Sequence, residues 1–269
     1  MSALDLELSG KRVLVTGGSR GIGKAIARVL AAEGCDVAIC ARNAEALETT
    51  ARELAGESGR KVIPIVADTG STESVRQMVS IAAGRLGGVD ILVNNAARPG
   101  GQGPVPGLAD ITDGAFNEDM NVKVMGYLRC AQAVAPHMAR AGWGRIINIS
   151  GLAARNAGTT IGSMRNVAIV AMTKNLAVEL GPHGINVNVV HPGLTRTEAT
   201  PGVIQRRAQA EGVSADEIER RMAQGNSVRR IVDASDIANV VAFLASPKSL
   251  AINGDVIAAG GGVGNSIYY

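Results

Sequence analysis

The chain has 269 residues, a length that suits one large α/β domain better than two independent ones. Its net charge of +3, from 27 basic and 24 acidic residues, is too balanced to predict binding to nucleic acid or to a membrane surface. Aromatic residues make up only 2%, so the core must consist of Ala, Val, Ile and Leu. The sequence has no signal-peptide pattern, and no apolar run approaches about 18 residues. The three cysteines have neither paired nor metal-ligand spacing, so we expect a soluble cytoplasmic protein without a metal.

Strands and helices alternate along the chain. Apolar runs predict strands at 11–16, 36–40, 62–66, 89–93, 145–149, 185–190 and 254–258. Helical periodicity and capping residues predict helices at 21–33, 43–57, 71–86, 112–140, 161–180 and 233–245. The Gly- and Pro-rich stretch 98–109 is typical of a loop, and 194–228 is polar and helical in pattern, without a strand. This alternation predicts one α/β domain over residues 1–269, with a parallel sheet covered by helices on both faces.

A glycine-rich turn joins the first strand to the first helix. Gly17, Gly21 and Gly23 are spaced for close approach to a phosphate-bearing ligand. One glycine relieves the turn, one admits the phosphates, and one lets the helix pack on the strand. The new helix points its free N–H groups and positive dipole end at such a ligand. An ordinary glycine-rich turn is the alternative, but its position between a strand and a helix favours a dinucleotide site.

Two arginines predict which dinucleotide binds. An NAD site of this kind usually has an acidic residue near the end of the second strand, where it holds the ribose hydroxyls. Here that place is Ala41, followed by Arg42, and Arg20 lies in the glycine turn itself. Two guanidinium groups without a carboxylate suit the 2′-phosphate of NADP, so we expect NADP(H) to be preferred over NAD(H). Two solvated surface arginines are the alternative. Asp68, after the third strand, is predicted either to bind the adenine amino group or to be a turn residue.

Four motifs carry a family resemblance. They are Thr16-Gly17-xxx-Gly21-Ile22-Gly23, Asn94-Asn95-Ala96, Asn121 on the following helix, and Pro192-Gly193-xxx-Thr197. With them the chain resembles the short-chain dehydrogenase/reductase family, from the first strand to the segment 255–261. The resemblance implies a Rossmann-type, doubly wound sheet of about seven strands and a nicotinamide dinucleotide. It also implies a small-molecule substrate under a helical cover at 194–228, and a homotetramer or homodimer paired through the helices at 112–140 and 161–180.

The resemblance further implies which residues surround the cofactor. They lie in the glycine turn and at the carboxyl ends of later strands: Gly17, Gly21, Ile22, Asp68, Asn94, Pro192, Gly193 and Thr197. Neighbouring positions complete the predicted site: Ser19, Gly23, Ala96 and Thr195. Arg20 and Arg42 join this set because of their charge.

The catalytic set implied by the resemblance is Asn, Ser, Tyr and Lys, and Asn121 alone matches it directly. Register along the helix after the fifth strand places the Tyr position at Gly162 and the Lys position at Asn166. The Ser position falls on Gly151, and Ser150, one residue earlier, takes the role if the loop is one residue shorter. We therefore predict a centre built on Asn121 and Ser150 that lacks the family Tyr and Lys.

The missing pair matters because carbonyl reduction by hydride needs a proton donor for the developing alkoxide. A tyrosine donates that proton when a neighbouring ammonium lowers its pKa. Glycine has no side chain to donate, and neutral asparagine supplies no charge, although it can hydrogen-bond a ribose hydroxyl. Loss of general acid catalysis alone costs on the order of 10²- to 10⁴-fold in rate. Restoring both residues, with Gly162→Tyr and Asn166→Lys, is therefore expected to create or greatly raise reductase activity.

Other side chains are candidate substitutes. Ser163 follows the Tyr position but points about 100° away around the helix. Arg155 and Arg165 carry fixed charge that stabilises an oxyanion or a carboxylate but exchanges no proton near neutrality, and we favour a surface or loop role for both. His191 is either a proton carrier or, as we favour, a core histidine. The C-terminal pair Tyr268-Tyr269 either reaches a neighbouring subunit or frays, which we favour.

Three functions remain open. The first is an NADP(H)-dependent oxidoreductase on a carbonyl/alcohol pair, whose proton comes from water, the substrate or an unusual residue. The second is a catalytically silent cofactor-binding protein, a sensor or a partner subunit, which Gly162 and Asn166 motivate. The third is a non-redox lyase or isomerase, against which the motif at Pro192, Gly193 and Thr197 speaks. We favour the first.

Overall fold

The computed structural model describes residues 5–97 and 106–264. Most of the loop predicted at 98–109, and Tyr268-Tyr269, lie outside the described residues. Within them the strands are β1 Arg12–Thr16, β2 Asp36–Ala41, β3 Val62–Val66, β4 Ile91–Asn94, β5 Gly144–Ile149, β6 Ile185–Pro192, β7 Thr195–Arg196, β8 Val232–Asp233 and β9 Val256–Ala259. In this part of the chain, seven strands form one parallel sheet in the order β3-β2-β1-β4-β5-β6-β9.

The described helices are α1 Gly21–Ala32, α2 Ala44–Ser58, α3 Thr72–Leu86, α4 Asp113–Met120, α5 Gly126–Ala141, α6 Thr160–Leu180, α7 Thr200–Glu211, α8 Ala215–Ala223 and α9 Ala234–Ala245. A five-residue π-helical turn, Asn121–Met125, joins α4 to α5. Asn43 and Ser71 cap α2 and α3 with side-chain oxygens that accept backbone N–H bonds. Most predicted bounds differ from the observed ones by one or two residues, as is usual at element ends.

Alternation along the central strands sends side chains to both faces of the sheet. Val13 and Val15 of β1 pack in a cluster with α1 and α9, whereas Leu14 packs on the opposite face with α3 and α5. Both clusters consist mainly of Ala, Val, Ile and Leu, as the scarcity of aromatic residues requires. The prediction of a doubly wound, Rossmann-type α/β domain is confirmed.

The order of the strands reverses beside β1, which lies between β2 and β4. In doubly wound sheets, ligands bind in the crevice that opens at the carboxyl ends of strands at such a point. The glycine turn follows β1 here, with β2 and β3 on one side of the crevice and β4, β5 and β6 on the other. An extended ligand that crosses the turn therefore reaches both halves of the sheet.

Two predictions about secondary structure are wrong in detail. The region 194–228 contains β7, which pairs in parallel with β8 so that Thr195 lies opposite Val232. A strand of two residues is too short for periodicity to identify. The helix predicted at 112–140 is interrupted by the π-helical turn, and its described part begins at Asp113. The remainder of 194–228 is helical as predicted, in α7 and α8.

The described residues include neither a helix long and apolar enough to cross a membrane nor a group of three His, Cys, Asp or Glu arranged to hold a metal ion. Cys35, Cys40 and Cys130 are free and buried. Burial raises the pKa of Cys35 and of Cys40 to about 12, so both thiols remain protonated at neutral pH. Cys35 and Cys40 are small residues of the hydrophobic core, one on each face of the sheet.

Candidate functional site

The turn between β1 and α1 has a backbone that favours glycine. Gly17 and Gly21 have φ angles of +67° and +58°, in the left-handed region. A Cβ on Gly23 would lie 2.2 Å from the carbonyl oxygen of Gly17, so α1 begins directly against the end of β1. The N–H groups of the first turn of α1 therefore lie at the carboxyl edge of the sheet, where an anion can bind.

Asn95 holds this glycine turn in place. Its Nδ2 donates to the carbonyl oxygens of Thr16 and Gly17, both at 3.1 Å. Thr16 Oγ1 accepts the backbone N–H of Asn95 at 2.9 Å in return. Asn95 is thus a positioning residue to which the sequence analysis gave no role. Its place directly after a buried strand at the sheet's carboxyl edge was the available signal.

The neighbours of Asn95 serve the same framework. The backbone N–H of Ala96 donates to Thr16 Oγ1 at 3.0 Å. Asn94 is fully buried, and its Nδ2 donates to Asn148 Oδ1 at 2.9 Å. The Asn94 side chain therefore links β4 to β5 inside the sheet, and contact of this residue with a cofactor stays a prediction.

The residues predicted to bind the adenine half lie at the carboxyl ends of β1, β2 and β3. Arg20 is the N-cap residue of α1, and both its side chain and that of Arg42 are exposed. The carbonyl of Ser19 accepts the Thr50 hydroxyl at 2.9 Å, which fixes the glycine turn to α2. Asp68 Oδ1 accepts the N–H of Gly70 at 2.9 Å, so this exposed residue has the turn role that the sequence offered as one reading.

The segment after β6 folds over the glycine turn. Glu198 Oε1 accepts the backbone N–H of Gly21 at 2.7 Å. The Thr197 methyl lies 3.7 Å from where a Cβ on Gly21 would stand. Thr195 Oγ1 donates to the carbonyl of Gly193 at 3.0 Å and stabilises the bend in this segment. A carboxylate thus binds the helix start in the manner expected of an anionic ligand.

A pocket of about 470 Å³ opens at the carboxyl ends of β5 and β6. Its wall includes the end of each strand, the first turns of α6 and the end of α8: Ser150, Gly151, Arg165, Asn166, Pro192, Gly193 and Met222. The predicted serine and lysine positions and the Pro-Gly motif therefore lie around one cavity. The prediction that 194–228 helps to cover the pocket agrees with Met222 in its wall.

Asn121 is directed elsewhere. Its Nδ2 donates to the carbonyl of Gly70 at 3.1 Å, and its Oδ1 accepts from Arg129 Nη2 at 2.7 Å. Both ends of the amide are therefore engaged on the side of α3 and α5. The structure does not bring the Asn121 side chain together with Ser150 and Asn166 in the pocket wall.

Lys123, in the π-helical turn, is a candidate functional residue that the sequence analysis missed. Its side chain is buried, with 3% of the residue exposed, and Nζ donates to the carbonyl of Ser150 at 3.0 Å and to Asn166 Oδ1 at 3.1 Å. Burial lowers the pKa of Lys123 to about 7; the charge of Arg165 lowers it further and that of Asp119 raises it. The available signal was a lysine in line with buried helix residues.

Two further hydrogen bonds join polar groups beside the pocket. Ser150 Oγ donates to the main-chain carbonyl of Asn166 at 3.3 Å. The N–H of Gly151 donates to His191 Nδ1 at 3.2 Å. Burial lowers the pKa of His191 to about 4, with smaller contributions from Arg155 and Lys123, so its ring is neutral at pH 7. The prediction of a core histidine is confirmed.

Arg165 corrects a sequence prediction, because it does not have a surface role. Its Nη1 donates to Asp119 Oδ1 at 2.5 Å, and the two side chains are only 13% and 15% exposed. Arg165 also lines the pocket. Arg155 lies in a loop as predicted, and its Nη2 donates to the carbonyl of Val256 at 3.4 Å. Ser163 donates to the carbonyl of Asn156 at 3.4 Å.

Two glycines beside the pocket leave little space for a side chain. A Cβ on Gly162 would lie 2.1 Å from Thr159 Oγ1, which caps α6 by accepting the N–H of Gly162. A Cβ on Gly151 would lie 3.2 Å from Asn166 Nδ2, a tight contact. A side chain at either position would therefore displace part of the present hydrogen-bonded arrangement.

Comparison with known proteins agrees with this arrangement. A family model described as enoyl-(acyl carrier protein) reductase matches residues 17–264. Short-chain reductase protein NovJ of Streptomyces niveus is 36% identical over 250 residues, which cover 93% of this chain and 92% of that protein. The crystal structure of L-sorbose reductase from Gluconobacter frateurii, complexed with NADPH and L-sorbose, has a TM-score of 0.92 at 28% identity, covering 98% of this chain and 100% of that chain.

A structure of 7α-hydroxysteroid dehydrogenase complexed with NADH and 7-oxo glycochenodeoxycholic acid is also similar, with a TM-score of 0.84 at 32% identity. The match covers 98% of both chains. These similarities span the whole sheet, the glycine turn and the pocket. The chain therefore belongs to the short-chain dehydrogenase/reductase family of oxidoreductases.

Proposed function

We propose that this protein binds NADP(H) and interconverts a small-molecule carbonyl and alcohol at a centre that lacks the family Tyr and Lys. The observation that carries the proposal is the glycine turn, where a Cβ on Gly23 would lie 2.2 Å from Gly17 O. The residues fit a dinucleotide, with N–H groups at the start of α1 for phosphates and exposed Arg20 and Arg42 for a 2′-phosphate. When bound, a nicotinamide dinucleotide supplies or accepts a hydride.

The pocket residues offer hydrogen bonds and fixed charge rather than a proton. Gly162 has no side chain to donate, and the Ser150 hydroxyl is bonded to the Asn166 carbonyl. His191 is neutral at pH 7 because burial lowers its pKa to about 4. In the proposed reaction, water or the substrate itself therefore supplies the proton, and the chain's part is to bind and orient.

The preference for NADP(H) rests on Arg20 and Arg42. L-sorbose reductase was crystallised with NADPH and 7α-hydroxysteroid dehydrogenase with NADH, so relatives with this fold differ in their cofactor. Fluorescence titration is expected to show tighter binding of NADPH than of NADH. Arg42→Ala should weaken NADPH binding about tenfold without changing NADH binding. Arg52→Ala, an exposed arginine on α2, is the matched control, and equal affinity for both cofactors in the native protein would contradict the preference.

The alternative is a silent cofactor-binding protein, which Gly162 and Asn166 motivate because neither side chain can act as a general acid. Hydride transfer separates this alternative from the proposed enzyme. The protein is incubated with NADPH deuterated at C4 and a panel of ketones, aldehydes and activated alkenes. Deuterium in a product, detected by mass spectrometry, supports the enzyme. Tight NADPH binding without transfer to any compound supports the silent protein, as a sensor or partner subunit in the cytoplasm.

We also propose a homotetramer or homodimer paired through α6. An apolar row runs along its exposed side, with Met164 50%, Val167 51% and Val178 71% exposed. Contiguous apolar surface of this kind is a candidate protein interface. Light scattering after gel filtration is expected to show an oligomer that Val167→Asp dissociates. Val66→Asp, at an equally exposed valine on β3, is the control, and a native monomer would contradict the proposal.

A further inference from the structure

Lys123 is buried, and burying its charged form costs free energy. The ammonium group is buried, and its Nζ donates to the Ser150 carbonyl at 3.0 Å and to Asn166 Oδ1 at 3.1 Å. Two neutral oxygens compensate only part of the free energy lost when an ammonium leaves water. A buried titratable group of this kind beside a pocket is a candidate for function.

The contact with Lys123 fixes which way the Asn166 amide points. A lysine Nζ–H donates and the amide oxygen accepts, so Oδ1 faces Lys123 and Nδ2 faces the other way. On that side Nδ2 lies 3.2 Å from where a Cβ on Gly151 would be, in the pocket wall. The lysine thus turns a donor toward the cavity, and the glycine leaves room for it.

The charges around this donor are unequal. Lys123 and Arg165 are cations, and Asp119 is bound by Arg165 at 2.5 Å. With Lys123 protonated, the three together carry one net positive charge. A cation that donates to the amide oxygen also polarises the N–H bonds on the far side of the amide. Asn166 Nδ2 is therefore a strengthened donor, suited to an electron-rich oxygen.

The fold decides which part of a dinucleotide reaches this donor. The phosphate-binding turn follows β1, and Arg42 and Asp68 follow β2 and β3, on one side of the crevice. Ser150 and Pro192, in the pocket, lie at the ends of β5 and β6 on the other side. A dinucleotide with its adenine half near the first group places its nicotinamide half in the pocket.

We propose that Asn166 Nδ2 donates to an oxygen on the nicotinamide half of NADP(H), and that Lys123 is its positioning residue, holding and polarising the amide from behind. This inference rests on the proposed cofactor binding. Lys123, from the π-helical turn after α4, supplies the positive charge behind Asn166, whose own side chain is neutral. Gly151 is part of the same device, because a side chain there would press on Nδ2.

The test compares NADPH with adenosine 2′,5′-bisphosphate, which has the adenine half and its phosphates but no nicotinamide half. Asn166→Asp keeps the shape and the oxygen facing Lys123 but removes the donor. Lys123→Met keeps the length and removes the charge. Each is expected to weaken NADPH binding about tenfold or more by calorimetry and to leave the bisphosphate affinity unchanged.

A double variant shows whether Lys123 acts through Asn166. Lys123→Met combined with Asn166→Leu is expected to bind NADPH no more weakly than Asn166→Leu alone, since the lysine has lost the group it positions. Additive losses would overturn the positioning role. If Lys123→Met does not fold, as judged by circular dichroism, Lys123→Gln with Asn166→Leu provides the same comparison, because glutamine also lacks the charge.

The pH dependence of NADPH binding is a further test, because a purely structural role of Lys123 would not make the affinity depend on its protonation. The groups facing Lys123 are Asp119 of α4, Tyr127 of α5, Arg165 of α6 and His191 of β6. The ratio of the NADPH affinity of the native protein to that of Lys123→Met cancels the titration of the cofactor phosphates. This ratio should fall as the pH rises from about 6 to about 9, because the native lysine loses its proton, and a ratio that stays flat would overturn the polarising role of Lys123.

The outcomes separate this inference from the proposal on which it rests. If the native protein binds neither NADPH nor the bisphosphate, the proposed cofactor binding fails. If it binds both, and Asn166→Asp and Lys123→Met bind NADPH as tightly as the native protein does, the inference alone is overturned.

Discussion

Glu198 and Gly21 are joined by a 2.7 Å hydrogen bond from the backbone N–H of the glycine to the carboxylate Oε1. The glutamate follows β7 and the glycine opens α1, so the contact crosses the mouth of the crevice. Because helix N-termini attract anions, this carboxylate takes a donor that a dinucleotide phosphate would use. A dinucleotide that binds here must displace the carboxylate first.

Neutralising this competitor is expected to strengthen cofactor binding. Glu198→Gln should lower the Kd for NADPH about two- to fivefold, because a negative charge leaves the helix start, and salt should reduce the gain. Fluorescence titration at low and high salt measures both effects. Glu179→Gln, at an exposed position on α6, is the matched control. Weaker or unchanged binding by the Glu198 variant would contradict the competition.

A methyl group in the glycine turn is expected to damage both stability and binding. Gly23→Ala places a Cβ 2.2 Å from the Gly17 carbonyl oxygen, so backbone must move, at a cost of about 1–3 kcal/mol in the free energy of unfolding. NADPH binding should be lost with it. Gly56→Ala in α2 is the control, because no atom lies within 4 Å of its Cβ, and it should stabilise the protein by about 0.5–1 kcal/mol. A stable, NADPH-binding Gly23→Ala variant would contradict the proposal that the glycine turn binds the dinucleotide.

The burial of Lys123 predicts how stability depends on pH. Its pKa is about 7 in the folded protein against 10.5 for the unperturbed side chain. Between these values the unfolded chain holds a proton that the folded protein has released. The free energy of unfolding therefore rises with pH there, by up to ~1.4 kcal/mol per pH unit, and below about 7 the folded state bears the whole cost of the buried charge.

Urea unfolding of the native protein and Lys123→Met at several pH values tests this dependence. The difference between the two proteins cancels the other titrating groups. Lys123→Met is expected to be the more stable protein below pH 7, with the gap narrowing as the pH rises toward 10.5. Parallel pH curves for the two proteins would show that Lys123 does not titrate in this window.

We expect that restoring the family pair works best with a third substitution in addition to the double variant. Lys123 Nζ lies 3.1 Å from Asn166 Oδ1, so Gly162→Tyr with Asn166→Lys places a second ammonium beside the first. Adding Lys123→Met removes the repulsion. The triple variant should reduce ketones and aldehydes on the order of 10²-fold faster than the double, as followed by loss of NADPH absorbance.

The control for this restoration replaces the phenol alone. Gly162→Phe with Asn166→Lys and Lys123→Met has the same bulk without a hydroxyl and should remain inactive. The Cβ position of residue 162 lies 2.1 Å from the Thr159 hydroxyl, so both Tyr and Phe displace this hydroxyl. The two variants therefore share the same steric change. If the double variant were as active as the triple one, repulsion between Lys123 and the new lysine at position 166 would not limit activity.

The sheet and the glycine turn were predictable because each depends on local pattern. Val13 to Val15 alternate between two packed faces, and the glycine spacing reflects the backbone conformation of the turn itself. β7 and β8 were missed because a two-residue strand has no period. The π-helical turn was missed because it differs from an α-helix by one residue and has no composition of its own.

The pocket was predictable only in part, because its contacts join residues far apart in sequence. Lys123 meets Asn166 across 43 positions, and Arg165 meets Asp119 across 46. Sequence patterns predict that a charged helix residue faces solvent unless its partner is known. This assumption led to the wrong prediction of a surface or loop role for Arg165. Asn121 matched its motif, but the direction of its side chain depends on Arg129 and Gly70.

The π-helical turn Asn121–Met125 has a consequence for how this site changes by insertion or deletion. One additional residue in a helical turn rotates the later part of the helix by about 100° relative to the earlier part. Within the turn, Asn121 is directed toward α3 while Lys123, two residues later, reaches α6. Removing a single residue from this turn would let the helix continue regularly and exchange the side chain that stands behind Asn166. A length change of one residue therefore alters the pocket's charge while the seven-stranded sheet of the described residues keeps every strand.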